Sequence, residues 1–260
     1  MPRAFDVHVH VPVEPGGPGR KVEELAAKYR QLDVFANILG RDPRTATGQV
    51  AVENDYVASI VRKYPDTFIG FGSVDPWMGK LAIYEAERAV KELGLRGLKF
   101  EPYRQEFYLN DPRFYPLWEK IQELGIPIMV HTGDIKGSGS QHLKYNQPIP
   151  YLDDVAADFP GLTIVGCHPS FPWQDEMLAI ATHKSNVHVE LSAGWPRHFS
   201  ANLIRYTNTF LQDKVMFGSG YPLYDPEEWI ADFEAQPFTS EVKPKVLLEN
   251  AARFFGLGSS

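Results

Sequence analysis

Phe5-Asp6-Val7-His8-Val9-His10, close to the amino terminus, alternates apolar and polar side chains. An extended strand turns successive side chains to opposite faces, so His8 and His10 are expected on one face and Val7 and Val9 on the other. Valines turned towards outer helices would leave both imidazoles pointing into the mouth of a barrel. Two imidazoles on one strand can close on one divalent ion, each offering a nitrogen at about 2.0–2.1 Å. Two hydrogen-bonded polar histidines are the plain alternative for this dipeptide repeat.

Seven more β-rich runs follow, at 32–39, 68–74, 95–101, 127–132, 162–168, 187–192 and 215–219, after the first at 5–10. Helical spacing of apolar residues fills 22–30, 55–63, 81–93, 116–124 and 153–158, with a closing helix at 241–255; Gly94, Gly125 and Pro160-Gly161 act as stops. Strands alternating with helices mean an α/β fold with a parallel sheet. Eight strands make a closed (β/α)8 TIM barrel the economical form, one domain over residues 1–260, a length normal for such barrels. An open doubly wound sheet would want a glycine-rich turn after strand one, and none is there. The long segment 133–150 carries Gly133, Gly137, Ser138, Gly139, Ser140 and Gln141, and reads as a lid or as an insertion.

Bulk properties narrow the partners. With 33 acidic and 26 basic residues, a net charge of −7 and no basic tract, nucleic-acid binding has little electrostatic support. No apolar run approaches the roughly 18 residues of a membrane span, and a strand pattern begins at once, so neither membrane anchoring nor a signal peptide is expected. A single cysteine, Cys167, excludes an intrachain disulfide and fits a cytoplasmic protein. The expected partner is a small-molecule substrate, with homo-oligomerisation left open.

His131 and His168 each end a strand candidate, and barrel enzymes build their sites at the carboxyl ends of strands. With His8 and His10 they make four histidines converging from strands one, five and six. An imidazole-rich set suits one divalent metal ion, zinc first, with manganese, iron or cobalt open.

The ordered set runs from Asp6–His10 through Arg62-Lys63-Tyr64-Pro65, Phe68-Ile69-Gly70-Phe71, Gly94-Leu95-Arg96-Gly97-Leu98-Lys99, residues 127–133 and His168. It ends with Phe217-Gly218-Ser219 and Glu249-Asn250-Ala251-Ala252. On these residues the chain resembles the amidohydrolase superfamily, in particular the amidohydrolase-2 group that includes aminocarboxymuconate-semialdehyde decarboxylase and related hydrolases. The resemblance implies a metal held by His8, His10 and His131, with His168 beside it acting on substrate or water, or serving as a further ligand. It implies the same barrel that the strand count suggests.

One position departs from the family. Its strand eight ends Phe-Gly-Ser-Asp-Tyr-Pro, whose aspartate reaches the metal and serves as general base, whereas this chain has Phe217-Gly218-Ser219-Gly220-Tyr221-Pro222. Gly220 can neither ligate through a side chain nor accept a proton. A nearby acid could take over, the exchange could be engineered, or the protein could bind ligands without turnover. Glu101, Glu190, Asp225 and Asp134 are the candidate acids, each with a plain reading as a salt bridge or helix cap.

Substrate-contact candidates are Lys99, Glu101, Arg104, Trp195 and Arg197, with Tyr103, His142 and His198 behind them. Cys167 is expected to face away from His168 as an inert thiol. The resemblance makes a hydrolase of a small carbonyl compound (a lactone, amide or cyclic acid), attacking with metal-activated water, the first functional expectation. The alternative is non-oxidative decarboxylation of an aromatic or unsaturated carboxylic acid, marked by a fixed cation opposite the metal. A binding protein on the same scaffold is the third.

Overall fold

Ala36, Ile38, Leu98, Phe100, Ile128, Val130, Ile164, Val187 and Val189 occupy alternate strand positions and pack against helices in one large buried cluster. The residues between them turn inward. Phe5, Val7, Leu39, Ile69, Phe71, Met129, Val165, Cys167 and Met216 fill the inside of the sheet with Ala251 and Phe255. Strands buried on both faces are the mark of a parallel sheet covered by helices.

The computed structural model describes residues 2–11, 21–134 and 141–257. Its strands are β1 (Ala4–His10), β2 (Val34–Leu39), β3 (Phe68–Phe71), β4 (Leu98–Phe100), β5 (Ile128–His131), β6 (Ile164–Cys167), β7 (Val187–Glu190) and β8 (Val215–Met216). Between and after them run α1 (Val22–Gln31), α2 (Asn54–Lys63), α3 (Lys80–Lys91), α4 (Tyr115–Glu123), α5 (Tyr151–Asp158), α6 (Gln174–His183), α7 (Ala201–Asn208) and α8 (Pro226–Glu234). Sheet pairing is parallel, β1-β2-β3 and β4-β5-β6-β7-β8. Parallel bridges from Gly72 to Leu98 and from Val9 to Tyr221 close the two seams. The result is the expected (β/α)8 barrel.

Several elements differ from the sequence reading. β8 stops at Met216 rather than at residue 219, because the chain turns there to build the site. α6, α7 and α8 were not foreseen, although Ser200 caps Leu203 N and Asp225 caps Glu227 N just before Pro226. The closing helix is broken into Val242–Pro244, a wide π turn at Lys245–Glu249, and Asn250–Phe254. The Val246 carbonyl accepts the amide of Phe217 at 2.8 Å and so ties this turn to the end of β8. Gly137, Ser138, Gly139 and Ser140 of the expected lid lie outside the described residues.

Trp229 of α8 shows how the outer shell carries the mouth. It is fully buried, packs on Phe217 and Phe233, and donates Nε1 to the Gly194 carbonyl beyond β7. Trp229→Ala is expected to cost about 3–5 kcal/mol of stability. Denaturant unfolding checks this, and an unchanged midpoint would contradict the packing described.

Candidate metal centre

The two histidines of β1 converge by a route that simple alternation misses. The register against β2 slips between Asp6 and Val9, where three steps on β1 match two on β2. Such a bulge sets consecutive side chains on one face. Val7 therefore joins the inner cluster while Val9 faces the helices, correcting the expectation that they share a face. His8 still reaches the mouth, because its amide leaves the ladder and donates to Asp6 Oδ1 at 3.1 Å. Asp6 also accepts from Tyr29 Oη at 2.8 Å, Ser219 N at 2.9 Å and Ser219 Oγ.

At the mouth His8 Nε2 lies 3.2 Å from His10 Nε2. His8 Nδ1 lies 2.9 Å from Glu190 Oε1, which as a carboxylate oxygen accepts, so Nε2 keeps the lone pair. His168 Nδ1 is 2.8 Å from Ser192 Oγ, and its Nε2 is 3.0 Å from His131 Nδ1. That leaves His131 Nε2 buried without a hydrogen-bond partner. Buried polar atoms are rarely left so, and an orphaned imidazole nitrogen is one that a bound cation would satisfy.

Among the described residues, the donor group whose ligand atoms all lie within 4.8 Å of one another is His8, Cys167 and Glu190. Two facts make this the weaker cradle. Glu190 already accepts from His8, His168 N, Ser192 N and Ser192 Oγ. Cys167 Sγ takes Lys99 Nζ at 2.9 Å, and burial holds its thiol well above the usual range. His8 is common to this group and to the set of histidines, and its Nε2, 3.2 Å from His10 Nε2, is the edge left open to an ion.

Strained turns at the strand ends bring these groups together. His168, Ser170, Ala193 and Gly220 all have left-handed φ, at 76°, 62°, 60° and 73°. Non-glycine residues adopt that region rarely, and such strain gathers at functional sites. The turn at His168 lets Cys167 and His168 both face inward, against the expectation of opposite faces. Gly220 donates its amide to the His8 carbonyl at 2.9 Å, and an added Cβ would lie 3.2 Å from Ala193 N. β8 has already ended at Met216, so position 220 lies in the turn beyond the strand.

The other candidates separate. Lys99 is buried on Cys167 rather than paired with Glu101. Glu101 keeps Oε2 buried and unpartnered, with Oε1 3.7 Å from Arg104. Arg104 donates to Tyr103 Oη at 2.7 Å and lies over that ring, which is 4.4 Å from the ring of His131. Trp195, His198, Asp134 and His168 line a 660 Å³ cleft beside the centre. Arg197 is drawn off to exposed Asp232 contacts, His142 is exposed, and Asp225 caps α8 and binds Lys28. Sequence reasoning missed Arg41, whose buried Nε has no partner and whose charge acts on His10, and Ser192, which links His168 to Glu190. No motif flags either; only the folded loops bring them in.

Burial is the chief cause holding His8, His10, His131 and His168 well below the ordinary imidazole value of 6.5. Each therefore contributes stability that is full above 6.5 and lost as pH falls, because the unfolded chain takes up protons that the folded one refuses. Asp6 runs the other way: burial raises its carboxyl from 3.8 to about 6, so it gains as pH falls below 6. Four groups outweigh one. The melting temperature of metal-free protein is expected to fall between about pH 7 and pH 5; a flat or rising trend would contradict neutral buried imidazoles.

Comparisons with known proteins agree with this architecture. A family model described as amidohydrolase matches residues 5–257. The 2-amino-3-carboxymuconate-6-semialdehyde decarboxylase of Dictyostelium discoideum is 30% identical over 125 residues, 46% of this chain and 35% of that one. The gamma-resorcylate decarboxylase of Polaromonas sp. is 34% identical over 84 residues, 30% of this chain and 26% of its own. The matched stretches thus span about a third or less of these relatives' lengths. A TIM-barrel protein of Bordetella bronchiseptica superposes with a TM-score of 0.81 at 25% identity, covering 98% of both chains. A dihydroxybenzoic acid decarboxylase of Polaromonas sp. JS666, solved with manganese and 2-nitroresorcinol, gives 0.66 at 17% identity over 100% of this chain and 98% of that one. The family match covers nearly every residue from β1 to the closing helix, and the chain belongs to the amidohydrolase family, a family of metal-dependent enzymes.

Proposed function

We propose that the protein is a metal-dependent carboxy-lyase that releases CO2 from a small aromatic or unsaturated carboxylic acid. In this reading His8, His10 and His131 hold one divalent ion, of which manganese and zinc are both candidates. The observation that carries it is a fixed cation beside the histidines. Arg104 is largely buried, braced by Tyr103, and its charge, with that of Arg41, bears on His10. Arg104 already meets Glu101 and Tyr103, whereas Arg41 Nε is buried without a partner, and a substrate carboxylate would bring it the charged acceptor that a neutral lactone or amide lacks. The hydrolase, first on the sequence alone, lacks this support, and the curated relatives matched above are decarboxylases by name.

When bound, the ion would polarise the substrate's carboxylate and a neighbouring oxygen. The chain's own residues do the rest. Arg104 and Arg41 neutralise and orient the acid, Trp195 and the cleft beside it take the apolar body, and water is displaced from there. The bond from carbon to carboxylate breaks, its electron pair stays on carbon, and CO2 leaves. The proton that takes the place of CO2 on that carbon comes from solvent, and His168, neutral and buried on the cleft wall with Nδ1 anchored to Ser192, is the group assigned to relay it.

Turnover of hydroxylated aromatic acids and unsaturated diacids, read as CO2 release by metal-loaded protein, tests this. Arg104→Gln is expected to raise KM for such acids by about 10–100-fold, the loss of a hydrogen bond to a charged group. Hydrolysis of lactones or amides without CO2 release from any acid would contradict the proposal.

A further inference from the structure

We propose that Glu190 is the charge partner of the metal centre, supplying from behind His8 the carboxylate that position 220 lacks. This rests on the reading that His8, His10 and His131 hold the ion. Glu190 ends β7 and is wholly buried. Its Oε1 accepts from His8 Nδ1 at 2.9 Å, Ser192 Oγ at 2.9 Å and His168 N at 3.1 Å; Oε2 accepts from Ser192 N at 2.7 Å. Among the described residues its ion-pair contacts are two imidazoles, His8 at 2.9 Å and His168 at 3.7 Å, with no Lys or Arg. A buried carboxylate without a cationic side chain in contact is costly unless positive charge is near. Lys99, held on Cys167 Sγ at 2.9 Å, is the neighbouring cation but does not touch Glu190, and an ion on the far edge of His8 would add charge along the hydrogen bond that Glu190 does make.

The backbone after β8 is shaped around this carboxylate. A Cβ on Gly218 would lie 2.4 Å from Glu190 Oε2 and 3.0 Å from His8 Cβ. The space that a side chain at 218 would need is filled by Glu190, while Gly220, two residues on, brings no carboxylate of its own. The negative charge is thereby moved from the ion's coordination sphere to one hydrogen bond away. A carboxylate accepting from a ligand imidazole fixes its tautomer and raises its basicity. The ion so held keeps more of its own charge and more open positions for an anionic substrate than one bound by an aspartate.

Glu190 also reaches His168 through Ser192 Oγ, so one carboxylate orients both a ligand and the group beside it. Glu190 is in this sense a positioning residue, since it touches neither ion nor substrate.

The test is calorimetric titration of metal-stripped, folded protein with Mn2+ and with Zn2+, for the parent, Glu190→Gln, Gly220→Asp and the double variant, with circular dichroism as the fold check. Glu190→Gln is expected to weaken metal binding by about 10–100-fold. Gly220→Asp, which the left-handed backbone strains but aspartate tolerates better than most side chains, is expected to recover more affinity in the Glu190→Gln background than it adds to the parent. Should Glu190→Gln fail to fold, Glu190→Asp keeps the charge, draws it back from His8, and is expected to weaken binding by a smaller factor. A parent that binds no ion overturns the metal reading and this role together. A parent that binds, with Glu190→Gln (or Glu190→Asp in its place) unchanged in affinity or with Gly220→Asp adding equally in both backgrounds, overturns the role of Glu190 alone.

Discussion

The carboxylate of Asp6 is the bolt on which the site hangs. It takes the amide that His8 withdraws from the β-ladder and, through Ser219 N and Oγ, binds the turn after β8 to β1; Tyr29 of α1 supplies a further donor. A buried carboxylate is tolerated only when its oxygens are satisfied, and here four donors meet it. Burial still outweighs them, raising its carboxyl to about 6. Without this bolt the bulge has no acceptor for the His8 amide, and the last seam of the barrel loses its side-chain fastening.

From that fastening the geometry of the mouth follows. The bulge aims His8 towards His10 and Glu190, and the turns at His168, Ala193 and Gly220 fold the ends of β6, β7 and β8 over the same point. The imidazoles are kept neutral by burial, which is the state in which they can donate lone pairs to a cation. Arg104 and Arg41 stand on the β2–β4 side, whereas the cleft on the β6–β7 side is lined among the described residues by Trp195 and Phe199 together with Asp134 and Asp175.

Much of this was legible before folding. The eight strands could be counted because each is a short apolar run, and the four histidines stood out because each lies at or near a strand's carboxyl end. The parity arguments were less secure. They assume an unbroken pleat, which the bulge at Val7–His8 and the left-handed His168 interrupt, so Val7 and Cys167 turned the other way. Glu190 was legible as a candidate acid but not as the partner of His8, a contact across 182 positions. Arg197 looked as promising as Arg104 in sequence; only Asp232, on a separate helix, draws it away.

In the proposed function the histidine Nε2 edges, and not the nearby Glu190–Cys167 pair, hold the ion. A crystal structure of metal-loaded protein, with the ion located by its anomalous scattering, measures this directly. One peak is expected, at about 2.0–2.3 Å from Nε2 of His8, His10 and His131, with Glu190 still bonded to His8 Nδ1. A peak coordinated by Cys167 and Glu190, with His10 and His131 left unligated, would contradict it.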